Sequence, residues 1–269
     1  MTAIVNPGTL DPVRPAIHPF RQWLALNRRF LTTMWRHGEF ALCVLAPVLL
    51  TLCFFVPLNK VMGLYAGVDY AQFLMPIICL QSTSFVATSA AMRSANDLTI
   101  GVTTRLRTVP INPMVSPLSR LGANTVLLVV SLTSAMISGL VIGWRAHHGP
   151  WYLLGFLLVA FVVGVVFAFG ADVIGTLAGN PESTSQAMTL PALILGMLST
   201  GFVPESQFPE WIQPFARNQP VSQFAALMRQ FDDGAVTSGQ VVPVVAWTAG
   251  LIALALAGIV LAAFRTSHE

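Results

Sequence analysis

Charged side chains are scarce in this sequence: Lys, Arg, Asp and Glu together make up 9% of 269 residues, against about a quarter in soluble domains. So few charges cannot cover a water-facing surface of ordinary size, which leaves lipid to cover much of it. Cysteine is scarce as well. Cys43, Cys53 and Cys79 have no CxxC spacing, so they give neither a disulfide framework nor a zinc site, and each reads as a small core hydrophobe. No Walker-type phosphate loop, HExxH, GxSxG or Gly-rich nucleotide loop is present. No catalytic, metal or cofactor-binding residue is therefore assigned, and an enzyme is not expected. Nor is there a basic patch interleaved with aromatics, so the pI near 9.1 does not require nucleic acid. The first 39 residues carry Asn6, Pro7, Pro12, Arg14 and Pro15 but no apolar h-region or cleavage site. They are expected to stay attached.

Apolar residues, by contrast, are plentiful at 55%, with a mean hydropathy of +0.71. Runs near the roughly 20 residues needed to cross a bilayer lie at Phe40–Val56, Ala71–Met92, Leu121–Trp144, Trp151–Ala171, Ala187–Val203 and Val244–Phe264. The expected fold class is therefore all-α integral membrane with six transmembrane helices. Residues 1–39 form a cytoplasmic N-terminus, 40–264 the membrane domain and 265–269 a cytoplasmic tail. Ten of the fourteen basic residues fall on one side of these spans: Arg14, Arg21, Arg28, Arg29, Arg36, Arg93, Arg105, Arg107, Arg120 and Arg265. By the positive-inside rule that side is cytoplasmic and holds both termini.

Three segments outside the spans have patterns of their own. From Phe20 to Arg36, Trp23, Leu26, Phe30, Leu31 and Met34 share one helical arc, while Arg21, Arg28, Arg29 and Arg36 share the opposite one. This is the pattern of an elbow helix lying in the inner interface. Between Arg93 and Arg120, Leu98, Val102, Leu106 and Val109 predict a short cytoplasmic helix with one apolar stripe, flanked by Arg105 and Arg107 and stopped at Pro110. Such a stripe needs a groove to dock into. From Gly201 to Gln240, Phe202, Phe208, Trp211, Phe215 and Phe224 are too apolar for a solvated loop. Pro204, Pro209, Pro214 and Pro220 cut the segment into pieces too short to span, as in outer helices that dip into the leaflet and return.

Within the spans, Gln81, Ser84 and Thr88 share one face and form a candidate substrate path. The alternative is that the hydroxyls bond back to their own helix. Asp172 lies near the inner end of its span, about 30 Å from Trp151 at 1.5 Å per residue, which weighs against a mid-membrane proton relay. The adjacent His147 and His148 read as turn residues pointing apart. Gly139/Gly143 and Ala249/Ala253/Ala257 are small-residue seams suited to helix packing.

The stretch Asn96-Asp97-Leu98-Thr99-Ile100-Gly101, then Thr104-Arg105-Leu106-Arg107-Thr108 and Pro110, resembles the loop after the second span of ABC-2 type exporter permeases. Thr104 stands where that family often has an acidic residue. Gly201-Phe202-Val203-Pro204, Pro209-Glu210-Trp211, Pro214, Pro220 and Arg229 resemble the family's re-entrant region, and Asn180-Pro181-Glu182 before the fifth span fits it as well. The resemblance extends over nearly the whole chain and is nearest to the daunorubicin-resistance permeases, including actinobacterial exporters of long-chain lipids.

The resemblance implies an exporter permease of the bacterial plasma membrane. Asp97, Leu98, Gly101, Val102, Arg105, Leu106 and Arg107 would couple it to a separate ABC ATPase present in two copies, with Pro204, Pro209, Trp211 and Pro214 in the outer re-entrant segment. It further implies a second permease, identical or paralogous, ATP and magnesium held on the ATPase rather than on this chain, and an amphipathic drug or lipid as cargo. An ion-coupled carrier and a lipid-modifying membrane enzyme are the competing readings. They would need paired mid-membrane charges and a cluster of acidic residues and histidines, respectively.

Overall fold

Every regular element in the computed structural model, which describes residues 18–65, 69–102 and 115–267, is a helix. In chain order these are α1 (Pro19–Arg36), α2 (Glu39–Tyr65), α3 (Tyr70–Thr99), α4 (Val115–Ile142), α5 (Pro150–Ala178), α6 (Pro181–Met197), a 3-10 turn (Glu205–Gln207), α7 (Gln213–Asn218), α8 (Pro220–Asp232) and α9 (Ser238–Ser267). Five of them, α2, α3, α4, α5 and α9, are long and apolar enough to cross a membrane.

The central helix is α3. Two thirds of its most apolar window is buried inside the protein, against 17% for α2 and α9. Burial follows side-chain size: Ala87, Ala90, Ala91 and Ala95 on α3 are buried, and small residues let neighbouring backbones come close. On α5, a Cβ at Gly175 would fall 2.9 Å from the Cβ of Ser94, and one at Gly164 would fall 2.8 Å from a Leu128 methyl. A hydroxyl also ties two of the apolar helices together: Ser134 on α4 donates to the Val44 carbonyl of α2 at 2.7 Å.

The expected two-faced pattern of α1 is met residue by residue. In α1, Phe30 and Met34 are buried, Trp23, Leu26 and Leu31 are half-buried, and the four arginines are exposed. The buried arc lies on the start of α4, where Trp23 Nε1 donates to the Leu118 carbonyl at 3.1 Å and Ser119 Oγ donates to the Trp23 carbonyl at 3.3 Å.

Several expectations are corrected. The helices outrun the apolar segments: α2 continues to Tyr65 rather than Val56, and α3 to Thr99 rather than Met92, because burial against neighbours, as at Ser94 and Ala95, extends a helix beyond its hydropathic run. The segment expected at Ala187–Val203 is instead α6, Pro181–Met197. Asn180 caps it by accepting from the N–H groups of Glu182 and Ser183, and Pro181 sits in its first turn. That polar first turn is invisible to hydropathy.

The small-residue seams are also redistributed. Gly139 packs on Met75, but Gly143 lies past the end of α4 with φ at 106° and no neighbour. Ala249, Ala253 and Ala257 are exposed, and α9 turns Ala255 and Gly258 inward instead.

A candidate coupling end, central cavity and outer cap

At the end of the bundle where α3 finishes, partly buried charge is assembled from four helices. Arg93 on α3 is paired with Glu39 at the start of α2 and also donates to the Asn124 side chain on α4. Arg120 on α4 reaches Asp172 on α5, with Nε 3.1 Å from Oδ1 and 3.2 Å from Oδ2. Asp97 is half-buried within electrostatic reach of Arg120, Arg29 and Arg93. Desolvated ions persist only when paired, so these contacts tie the ends of α2, α3, α4 and α5 into one unit. Arg93 and Arg120, read from the sequence as loop cations, are helix residues inside this network. Asp172 serves as the partner of Arg120. No direct signal in the sequence points to Glu39 or Asn124, since pairing across helices has no spacing rule.

Of the residues assigned to coupling, Asp97 and Leu98 sit half-buried in the last turn of α3. Gly101 follows in a left-handed conformation at φ 70°, a region glycine enters without steric cost. Val102 beyond it is buried and helical again. The stripe expected to run unbroken from Leu98 is thus interrupted at Gly101, where the turn separates Leu98 on α3 from Val102. Arg105, Leu106 and Arg107 lie outside the described residues.

A cavity of about 340 Å³ opens between α3, α5 and α6. Its walls are apolar, including Phe167, Met188, Pro191 and Leu251, and its few polar groups include Ser84 and Thr88. These two belong to the candidate path. Their hydroxyls donate back to the Leu80 and Ser84 carbonyls of their own helix, at 3.2 and 3.0 Å, so they present spare lone pairs rather than free donors. Gln81, the third member, packs against Gly196 on α6, at one edge of the same helix pair.

The proline-rich segment caps the opposite end. Pro204 precedes the 3-10 turn, the Pro209 carbonyl accepts from the Ile212 N–H at 3.0 Å, and Pro214 starts α7. Phe202, Phe224, Leu227 and Met228 are buried, while Trp211 is 80% exposed. Arg229 on α8 fastens the cap to α3. It donates to the Phe73 carbonyl at 3.2 and 3.3 Å and to the Gly201 carbonyl at 2.9 Å, and its guanidinium lies 3.8 Å from the Phe73 ring centre. Tyr70 Oη donates to the Phe202 carbonyl at 3.3 Å, and Trp144 Nε1 to Asp232 at 3.0 Å. Burial pushes the Asp232 carboxyl up from its ordinary pKa, with the indole N–H acting against that shift. The two histidines diverge as expected, His147 toward Gln72 and His148 to the Asp232 carbonyl at 2.8 Å.

Residues 21–231 match the family described as ABC-2 type transporter. The chain is 35% identical over 259 residues to the doxorubicin resistance ABC transporter permease protein DrrB of Mycobacterium tuberculosis, covering 91% of this chain and 90% of that protein. It is 27% identical over 249 residues to the probable doxorubicin resistance permease DrrC of the same organism, covering 91% and 89%. To the daunorubicin resistance permease DrrB1 of Streptomyces coeruleorubidus it is 25% identical over 265 residues, covering 93% and 94%.

Proposed function

This chain belongs to the ABC-2 type transporter family as an exporter permease, and on that premise we propose that it works with a second permease and two copies of a separate ABC ATPase. Its cargo is an amphipathic drug or long-chain lipid carried out across the bacterial plasma membrane. The observation that carries this reading is the cavity between α3, α5 and α6. An apolar chamber with a few hydroxyl acceptors suits a molecule that is mostly hydrocarbon or fused ring with few polar groups. The drug class accords with relatives named for doxorubicin and daunorubicin resistance.

The same geometry supports a mechanical route. Movement of the ATPases would press on the segment that follows α3. The Arg93–Glu39 and Arg120–Asp172 pairs make the adjoining helix ends move together. Because α3 and α5 also wall the cavity, a shift at one end changes its shape farther along. Replacing Ala192 on the cavity wall by Phe should fill the chamber while leaving the ion pairs intact. Export of a fluorescent anthracycline by this variant should fall to background, with normal membrane insertion and normal ATPase co-purification. Undiminished export would mean that cargo does not pass here.

Six crossings follow if α6 counts as one. The start of α6 follows Ala178, close to Gly175, which packs near Ser94 toward the end of α3. The chain after α6 returns Phe202 to Tyr70 at the start of α3. At 1.5 Å per residue its 17 residues extend about 25 Å, slightly under the roughly 30 Å hydrocarbon core. Its exposed Leu190, Leu193, Ile194 and Met197 suit an apolar surrounding. Both termini are then cytoplasmic, α1 is the interfacial elbow, and the segment between α6 and α9 dips into the outer leaflet with Trp211 at headgroup level. The orientation argument survives the pairing of Arg93 and Arg120, since eight of the ten inner-side basic residues remain. Cysteines introduced at Thr108 and Ser238 should react with an impermeant maleimide from opposite sides. Labelling from the same side would overturn this topology.

A further inference from the structure

A second cavity, of about 360 Å³, lies in the proline-rich cap, and its walls differ in chemistry from those of the first. Arg217, Arg229, Glu205, Gln223, Gln240 and Ala226 are among the residues that line it. Gln240 Nε2 donates to Gln223 Oε1 at 2.8 Å, and Gln223 Nε2 donates to the Arg217 carbonyl at 2.8 Å, so the amides brace one wall. Arg217 is largely exposed and stands 3.6 Å from the Glu205 carboxylate.

Arg229 is the unusual member. It has no carboxylate within ion-pair distance among the described residues; two carbonyls and the Phe73 ring touch its guanidinium, and Asp233 and Tyr70 act on it electrostatically from farther away. Those bonds use Nε and Nη2, while Nη1 has no hydrogen-bond partner among the described residues. Burial lowers the Arg229 pKa to about 10, so the group remains a cation at neutral pH. A desolvated cation with no carboxylate in contact is costly, and the open Nη1 can donate a charge-assisted hydrogen bond to a phosphate or carboxylate oxygen. Two guanidinium groups against one carboxylate leave the cavity net positive.

We infer that this cavity binds the anionic head of an amphiphile, a phosphodiester or carboxylate held between Arg229 and Arg217. The inference goes beyond the exporter reading and stands whether or not cargo uses the central cavity.

The test uses the full-length chain purified in a neutral maltoside detergent, with thermal unfolding followed by tryptophan fluorescence. Dihexanoyl phosphatidylglycerol should raise the unfolding midpoint saturably, as a ligand of the folded state does. Dihexanoyl phosphatidylcholine at the same concentration should not. Arg229→Gln risks the fold, because it also unties Phe73 and Gly201, so the decisive variant is Ala226→Phe. This fills the cavity without changing charge and should abolish the phosphatidylglycerol response while the unliganded midpoint is kept. Arg217→Gln should weaken apparent binding by about tenfold, the worth of one charge-assisted hydrogen bond.

Equal responses to the two lipids, no response to either, or a response retained in Ala226→Phe would each overturn the site. Inorganic phosphate reproducing the full shift in the native chain and losing it in Ala226→Phe would keep the anion site but make a free anion, not a headgroup, its occupant. Loss of anthracycline export in Ala192→Phe is independent of all these outcomes.

Discussion

Asp172→Ala is expected to remove most of the folded protein from the membrane. The substitution leaves the half-buried Arg120 guanidinium at the α4–α5 contact without its ion-pair partner, with Asp97 still within electrostatic reach. Breaking a fully buried pair from one side costs about 3–5 kcal/mol; this pair, with Arg120 half-buried, should cost less, yet still a sizeable share of the roughly 5–15 kcal/mol that holds an ordinary domain together. Membrane yield and the unfolding midpoint in detergent should both fall sharply. The double variant Arg120→Met with Asp172→Leu should recover much of the loss, because it removes both desolvated ions and fills the space with hydrocarbon. Export by that double variant then separates two roles. A stable but inactive protein would mean that the pair transmits motion, whereas a stable and active one would mean that it serves only the fold. A midpoint unchanged in Asp172→Ala would overturn the structural role itself.

The second large effect concerns the segment after α3. Leu106→Asp is expected to abolish both ATPase co-purification and export while the permease still inserts. The sequence places Leu106 on an apolar stripe between Arg105 and Arg107, and a stripe of that size cannot form a core alone. Docked on a partner, an unpaired aspartate there would cost several kcal/mol, which is about a hundredfold or more in affinity. Gln81→Ala is the control: it lies at the α3–α6 edge and should leave the complex whole. If Leu106→Asp retains its ATPase at native stoichiometry and exports normally, the coupling contact lies elsewhere.

The turn at Gly101 refines this expectation. Its left-handed backbone separates Leu98, which belongs to α3, from Val102 beyond the turn. A coupling segment that begins at Val102 would join the bundle through this turn. The partly buried ions of Arg93, Glu39, Arg120 and Asp172 lie just behind it, so a force applied beyond the turn would reach four helix ends together.

Much of the architecture was legible because its physics is local. A shortage of charge and long apolar runs identify a membrane bundle, and five of the six expected spans contain a helix of spanning length and apolarity. The amphipathic arc of α1 fixed which side chains would be buried before any partner was known, since a helix presents residues three and four apart on one face. The proline-punctuated apolar run after α6 announced short ordered helices for the same reason.

Other features could come only from the tertiary structure. Glu39 and Arg93 are 54 residues apart, and Arg120 and Asp172 are 52 apart. No spacing in the chain predicts that they meet, because the pairing depends on how α2, α3, α4 and α5 cross. The start of α6 escaped hydropathy because its first turn is polar and set by a cap, and Ala249, Ala253 and Ala257 looked like a seam although α9 turns them outward. Both cavities are likewise spaces between helices, created by packing and carried by no single segment. Sequence by itself determined the solvent this chain lives in and the faces its helices offer, as these follow from side-chain transfer and helical period. Only the folded bundle decided which charges pair and where space is left, because those depend on distances between residues the chain keeps far apart.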